Sequence, residues 1–347
     1  MKMSELGQTG IQVSRTCLGT MTFGNQNSAA EGHAQLDMAV EYGVNFFDTA
    51  EMYAFPVDAK TYGRSEEILG SWVKAKGNRD KVVIATKVTS KGPRFPHIRD
   101  GNPKLNRNHI RQAVDDSLRR LQTDYIDLYQ THWPERPTNY FSRLGYDHDD
   151  NEADWTPLEE TLDALAEQVN AGKIRSVGVS NETPWGVGNM LALADASGLP
   201  RIASIQNPYN LLSRAFDIGL AEIAIREKCG LLAYSPLGFG ALSGKYLNDQ
   251  LPDGSRHKLF PSYQRYFTPN ANIATQKYHQ VARDHGLNLA QMALAFVNSQ
   301  RFLTSTIIGA TSLEQLRQNL ESEPITLDKA VVEAIERIHA DNPNPSP

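Results

Sequence analysis

Eight times along the chain a short run of β-branched and apolar residues gives way to a stretch with helical spacing, and this alternation restricts the folds open to it. The runs are Cys17-Leu18 (preceded by Val13), Val44 to Phe47, Val82 to Ala85, Tyr125 to Tyr129, Ile174 to Val179, Ile202 to Ile205, Leu231 to Tyr234 and Thr304 to Ile308. Most are apolar at consecutive positions, as strands covered on both faces must be. Between them, Ser28-Ala29-Ala30-Glu31 has the form of a capping box ahead of Leu36, Ala39 and Val40, with Gly43 as the stop. Thr156-Pro157-Leu158-Glu159 reads as a second box with proline at the first helical position. It opens a stripe of Leu158, Leu162, Leu165, Ala166 and Val169 that ends at Gly172. Ile110, Ala113, Val114, Leu118 and Leu121 form another face, and further helices are expected over 64–76, 184–197, 214–228, 272–285, 289–299, 312–322 and 327–340.

Strand then helix, repeated without a break in composition, predicts an α/β fold: a single (β/α)8 TIM barrel over 1–341, with a flexible tail over 342–347. A doubly wound open sheet is the rival. The first dozen residues, with a turn at Gly7-Gln8-Thr9-Gly10, read as a hairpin closing the barrel bottom. Helix-to-strand links are brief, whereas strand-to-helix links include long ones near 88–107, 133–156 and 235–271. In a barrel the long links gather at the C-terminal ends of the strands, so chemistry is expected after the second, third, fourth and seventh strands.

Composition removes several function classes. The 35 basic and 40 acidic side chains leave a formal charge of −5, which gives no electrostatic reason to expect a nucleic-acid partner. The apolar runs fall well short of the ~20 residues that span a bilayer. With no apolar signal segment at the start and only Cys17 and Cys229, the expectation is a soluble, cytoplasmic protein in a reducing compartment. His33, His97, His109, His148, His257, His279, His285 and His339 show no zinc-ligand spacing, so no metal is expected.

Four titratable side chains fall at or just beyond successive strand ends: Asp48 after Phe47, Tyr53 five residues later, Lys87 after Thr86, and His132 after Thr131. Singly, each has an ordinary reading as a cap, a solvated cation or a core histidine. Together at one barrel mouth they form a proton-transfer group. A phenol of pKa near ~10 is a poor acid at neutral pH. A nearby ammonium lowers that value, a carboxylate keeps the ammonium charged, and a neutral imidazole can donate to a carbonyl oxygen as charge builds there.

Asn45 to Tyr53, with Phe46-Phe47-Asp48-Thr49-Ala50-Glu51 between, resembles the strand-two motif of the aldo-keto reductases. Leu118 to Pro134, Ile174 to Asn181, Ile205 to Tyr209, Ala233 to Gly238 and Ile308 to Thr311 follow in that family's order. His132 to Tyr140 and Gly19 to Gly24 look closest to its bacterial Tas-like branch, and a fainter similarity reaches the potassium-channel β subunits. The resemblance implies Tyr53 as general acid, Lys87 and Asp48 as its tuning partners, and His132 as the group orienting the carbonyl. It further implies that Ser180, Asn181 and Gln206 hold a nicotinamide carboxamide and that Tyr234 stacks on the ring, with Gly19, Thr20, Met21 and Asp48 also in the cofactor set.

The glycine-rich stretch Gly238 to Gly244 misses the dinucleotide fingerprint by one position. Its backbone N–H groups, with Ser235, Pro236, Leu237, Gly238, Gly240 and Lys245, could line the pyrophosphate. Arg256 resembles a family position near the adenosine end, and Gly309, Thr311, Gln315 and Asn319 resemble an adenosine-phosphate site at a helix N-terminus. Several relatives carry a lysine or arginine after the last strand, where Thr311 and Ser312 stand here; Arg256 and Arg317 could compensate, and NADP(H) is favoured over NAD(H). Phe23, Met52, Tyr53, His132 and Trp133, with some of Tyr140, Phe141, Tyr146 and Trp155, are the candidate substrate walls, unless the latter aromatics only pin their own loop.

The leading expectation is an NAD(P)H-dependent oxidoreductase that reduces aldehydes or ketones, with a small-molecule carbonyl substrate and no nucleic-acid or membrane partner. The alternative is a nucleotide-loaded regulatory module resembling the channel β subunits. Against that alternative stands the short stretch before the first barrel strand, which leaves no N-terminal effector arm.

Overall fold

The computed structural model describes residues 1–346 except Pro93, Arg94, Ser142, Leu144, Asn151 and Ala153. Strands β1 (Met3–Glu5) and β2 (Gln12–Ser14) form an antiparallel hairpin. Eight parallel strands then close on themselves: β3 (Thr16–Gly19), β4 (Phe46–Asp48), β5 (Val83–Val88), β6 (Ile126–Thr131), β7 (Ile174–Ser180), β8 (Ile202–Pro208), β9 (Leu231–Tyr234) and β10 (Leu303–Ile308), with β10 pairing back onto β3. The helices are α1 (Ala29–Glu41), α2 (Arg64–Lys76), α3 (Arg107–Leu121), α4 (Leu158–Asn170), α5 (Pro184–Ser197), α6 (Phe216–Arg226), α7 (Arg256–Leu259), α8 (Pro269–Asp284), α9 (Leu289–Asn298), α10 (Leu313–Leu320) and α11 (Lys329–Asp341). This is the expected TIM barrel.

Two apolar layers hold it. An outer layer packs strand residues such as Phe47, Ile84 and Tyr129 against Leu36, Trp72 and Ile110 of the helices. An inner layer fills the bottom, where Leu6, Ile11 and Val13 of the hairpin meet Cys17, Phe46, Leu128 and Ile307. Each fully buried large side chain contributes about 1.5–3 kcal/mol. The hairpin can approach this closely because Gly7 has φ +60°, and a Cβ there would lie 2.7 Å from the Ala203 carbonyl oxygen.

The Ser28 box forms, with the Ser28 side chain accepting from the Glu31 N–H and the Glu31 carboxylate accepting from the Ser28 N–H. The Thr156 box does not. Pro157 occupies the cap with no side-chain bond, and the Thr156 N–H donates to Glu135 Oε1 at 3.2 Å. Residues after α11, read as a flexible tail, are hydrogen-bonded to the barrel. The Ser346 N–H donates to the Leu212 carbonyl at 3.0 Å, the Arg214 N–H to Asn344 Oδ1 at 2.6 Å, and Thr268 Oγ1 to the Pro345 carbonyl at 2.9 Å. Pro347 lies outside the described residues.

Candidate active site

Asp48 ends β4 and Lys87 lies near the end of β5, and strand pairing brings them together above the apolar floor. Lys87 Nζ donates to Asp48 Oδ1 at 2.5 Å and to the Thr49 carbonyl at 2.7 Å, with its side chain fully buried. The other carboxylate oxygen accepts from Gln206 Nε2 at 2.8 Å and Gln130 Nε2 at 3.4 Å. A buried charge pair persists only when its remaining hydrogen-bonding capacity is met, and these amides meet it. Burial works to lower the Lys87 ammonium, but Asp48 overcomes it and carries Lys87 above its ordinary value.

Tyr53 sits over this pair. Lys87 Nζ is 5.1 Å from the centre of its half-buried ring, and the His132 ring meets it edge-on at 5.7 Å. Here the electrostatic balance differs from the expectation. Burial pushes the Tyr53 phenol above its ordinary value, and the Lys87 ammonium only pulls against that rise. The phenol therefore holds its proton across neutral pH and remains available as a donor. Burial, with Lys87 adding to it, drives His132 well below the usual imidazole range, so it is neutral. Its Nδ1 has no hydrogen-bond partner among the described residues.

The residues expected around a carboxamide form one chain of bonds. Ser180 Oγ donates to the Gln206 carbonyl at 2.8 Å, and Asn181 Nδ2 donates to the His132 carbonyl at 2.9 Å and to Ser180 Oγ at 3.1 Å. Tyr234 OH donates to Asn181 Oδ1 at 2.6 Å and accepts from Arg265 Nη1 at 3.2 Å. Gly19, Thr20 and Met21 lie beside Asp48: the Thr20 N–H donates to the Asp48 carbonyl at 2.9 Å, and the Phe55 N–H to the Met21 carbonyl at 2.9 Å.

Beyond Tyr234, the Ser235-Pro236-Leu237 turn leads to Gly238 and Gly240 at φ +53° and +94°, and Lys245 Nζ would lie 3.3 Å from a Cβ on Gly240. At the end of β10, Thr311 bonds through its N–H and Oγ1 to Gln315 Oε1, and Asn319 Nδ2 donates to the Gly309 carbonyl at 3.3 Å. The space beside Gly309 is open, and α10 presents its N-terminus there, capped by Ser312. Arg256 lies over the Phe239 ring at 4.2 Å and beside Phe55 at 5.4 Å, close enough for its charge to act on Tyr53. Its Nε is buried with no partner among the described residues. Positive-φ glycines, a lysine and an unpartnered guanidinium nitrogen, together with a nearby helix N-terminus, suit an anionic dinucleotide.

Met52 and Trp133 join Tyr53 and Tyr140 in an aromatic cluster that also takes in Phe95 and Ile98. Trp133 is held by its Nε1–H donating to the Lys91 carbonyl at 2.9 Å, and Phe141 stands against its ring. Tyr146 instead contacts His148 in its own loop. Phe23 is not in this cluster; it is buried in the outer layer, where a Cβ on Gly32 would touch it at 3.1 Å. Sequence reasoning passed over Gln130, Arg265, Phe55 and Tyr263, the last two in ring contact across the mouth at 5.0 Å. Gln130 was findable, because it sits two residues before His132 on the same face of β6. Among the described residues no group of three or more His, Cys, Asp or Glu is placed to hold a metal, and no helix is long and apolar enough to cross a membrane.

The C-terminal mouth of the closed parallel barrel thus brings together an ammonium–carboxylate pair, a phenol and a neutral imidazole. Residues 15–340 match the Aldo/keto reductase family, and the chain belongs to that family. It is 50% identical to "Protein tas" of Escherichia coli K12 over the full length of both chains. It is 30% identical to the L-glyceraldehyde 3-phosphate reductase of Escherichia coli O157:H7, over 93% of this chain and 87% of the relative. It is also 30% identical to a probable voltage-gated potassium channel subunit beta of Arabidopsis thaliana, over 95% of each. Membership makes the chain an oxidoreductase, in a family that uses nicotinamide cofactors on small carbonyl compounds.

Proposed function

We propose that this protein reduces aldehydes or ketones to alcohols with NADPH, and that Tyr53 supplies the proton. When bound, the reduced nicotinamide supplies the hydride; the remaining work falls to side chains of this chain. Ser180, Asn181 and Gln206 would orient its carboxamide, with Tyr234 against the ring. The glycine turn, Lys245, Arg256 and the α10 N-terminus with Thr311, Gln315 and Asn319 would take the phosphates, and this cationic and N–H-rich set favours NADP(H) over NAD(H). His132, neutral and with a free ring nitrogen, would donate to the carbonyl oxygen and hold it towards Tyr53. The Tyr53 hydroxyl would then pass its proton to that oxygen, and the Lys87 ammonium would steady the phenolate left behind.

The observation that carries this reading is the sealed Asp48–Lys87 pair directly beneath a protonated phenol. The test is an aldehyde and ketone panel with NADPH and NADH as reductants. Tyr53→Phe should lower turnover by about 10²–10⁴-fold while NADPH still binds, seen by its fluorescence. Full activity in that variant would remove Tyr53 from the donor role.

A second reading, a nucleotide-loaded regulatory module, draws support from the likeness to the potassium channel β relative. Negligible turnover across the panel, together with a stoichiometric membrane partner in a pull-down, would favour it.

A further inference from the structure

Two residues before Tyr53, on the same loop, Glu51 is fully buried, and its carboxylate accepts four hydrogen bonds. Arg99 meets it with both terminal nitrogens, Nη1 to Oε2 at 2.8 Å and Nη2 to Oε1 at 2.5 Å, a bidentate pair. The Thr89 N–H donates to Oε1 at 2.5 Å and Tyr62 OH to Oε2 at 3.2 Å, while the Glu51 N–H donates to the Lys87 carbonyl at 3.3 Å. One residue thus bonds the Tyr53 loop to the backbone of Lys87, to the start of the following loop, and to a guanidinium ten residues further along.

The Arg99 end is built to reach it. Arg99 and Asp100 take left-handed φ values of +44° and +57°, ahead of Gly101 at +78°, and side-chain-bearing residues adopt that region only where surroundings enforce it. Arg99 Nη2 also donates to the Thr89 carbonyl at 2.9 Å, a second tie between those two residues. That segment carries Phe95 and Ile98, and Phe95 stacks on Trp133 at 5.4 Å. Glu51's neighbours Ala50 and Met52 lie in the same cluster. The clasp therefore sets two things together, the height of the Tyr53 ring over Lys87 and the position of the Phe95–Trp133 wall.

We propose that Glu51 is a positioning residue of the reaction, acting through its Arg99 clasp to hold Tyr53 and the Phe95–Trp133 wall at a common distance from the substrate. It touches neither substrate nor cofactor. The proposal rests on the reductase reading with Tyr53 as donor. A neighbouring pair supplies the control: Arg120 Nε donates to Glu66 Oε2 at 2.6 Å and Thr86 Oγ1 to Glu66 Oε1 at 2.5 Å, also buried but, among the described residues, with no hydrogen bond to the 89–99 segment.

The test compares Glu51→Gln with Glu66→Gln, using a small aldehyde and a bulky aromatic ketone, beside wild type and Tyr53→Phe. Glu51→Gln should lower kcat by about 10–100-fold, the scale of a misplacement near 1 Å. Its KM should rise more for the aromatic ketone than for the small aldehyde, and NADPH binding should be unchanged. Amide hydrogen exchange should quicken at 49–55 and 89–99. Glu66→Gln should lower Tm comparably and keep kcat within about two-fold. The double variant Glu51→Gln/Arg99→Gln removes both charges, so it should regain Tm without regaining kcat; it decides the matter should the single variant fail to fold. An unchanged kcat in Glu51→Gln, an equal loss in Glu66→Gln, or recovery of kcat along with Tm in the double variant would overturn the proposal. Absence of any carbonyl reduction by wild type would instead sink the reductase reading, and the exchange comparison would still judge the clasp.

Discussion

Asp127 and Asp48 are both buried carboxylates on the barrel wall, at opposite ends, and they serve different purposes. At the bottom, Asp127 takes Arg79 at 2.7 Å, Arg175 at 2.6 Å and the Ile84 N–H at 2.9 Å, tying β5, β6 and β7 together. Both arginines keep contact with water there, Arg175 being 51% exposed. At the top, Asp48 holds an ammonium with no exposure at all, and near it two buried nitrogens, His132 Nδ1 and Arg256 Nε, have no partner among the described residues. One end uses charge to close the fold. The other leaves hydrogen-bonding capacity unspent at the mouth, which is what binding and chemistry require.

If that division is right, changes at the two ends should separate stability from turnover. The largest effect belongs to Lys87→Met, which strands Asp48 without its cation in a sealed site. It should cost about 3–5 kcal/mol in urea melts and abolish most turnover, since the phenolate then lacks its counter-charge. Asp127→Asn is the matching change below. It should cost about 1–3 kcal/mol, because water can reach the stranded arginines, and leave kcat per folded molecule intact. A fall in kcat there would break the comparison.

Gly7→Ala probes the floor in isolation. The added Cβ meets the Ala203 backbone at a positive φ, so about 1–3 kcal/mol of stability should be lost with kcat and KM unmoved. A smaller, pH-dependent effect comes from His132. Its folded pKa lies well below the ~6.5 of an unfolded imidazole, so the unfolded chain takes up a proton first as pH falls. Its contribution is fully present above pH ~6.5 and is lost below it at up to about 1.4 kcal/mol per pH unit. Urea midpoints at pH 7.5 and 5.5 should converge in His132→Gln relative to wild type. Least of all should come from Asp154→Asn. Asp154 receives Lys91 at 2.6 Å and Lys104 at 2.5 Å across two mouth loops, and these ammonium groups hold its carboxyl down to about 2. Its exposure predicts an unchanged Tm and a KM shift of no more than about two-fold, erased by salt.

Strand ends and their residues were legible because they depend on local order. A buried parallel strand needs an apolar run, and the residue that follows it, whether Asp48, Lys87 or His132, is delivered to the mouth by the fold class alone. The hairpin was readable from its glycine turn, and the Ser28 cap from spacing. Phe23 was misplaced because an aromatic just past a strand end can turn inward or outward, and here Gly32 of α1 leaves a slot for it. The Thr156 box failed for a reason equally hidden, since Glu135, remote in the chain, accepts its N–H.

What the chain order by itself determined is the barrel, its polarity, and the list of side chains that end at its open face, because periodicity and turn chemistry act over a few residues. The tertiary structure alone decided the electrostatics: that burial outweighs Lys87 at Tyr53, that Gln130 and Gln206 complete the shell of Asp48, and that Glu51 and Arg99 join two loops. Those outcomes depend on how much water is excluded and on partners dozens of residues apart, quantities that exist only once the strands have closed.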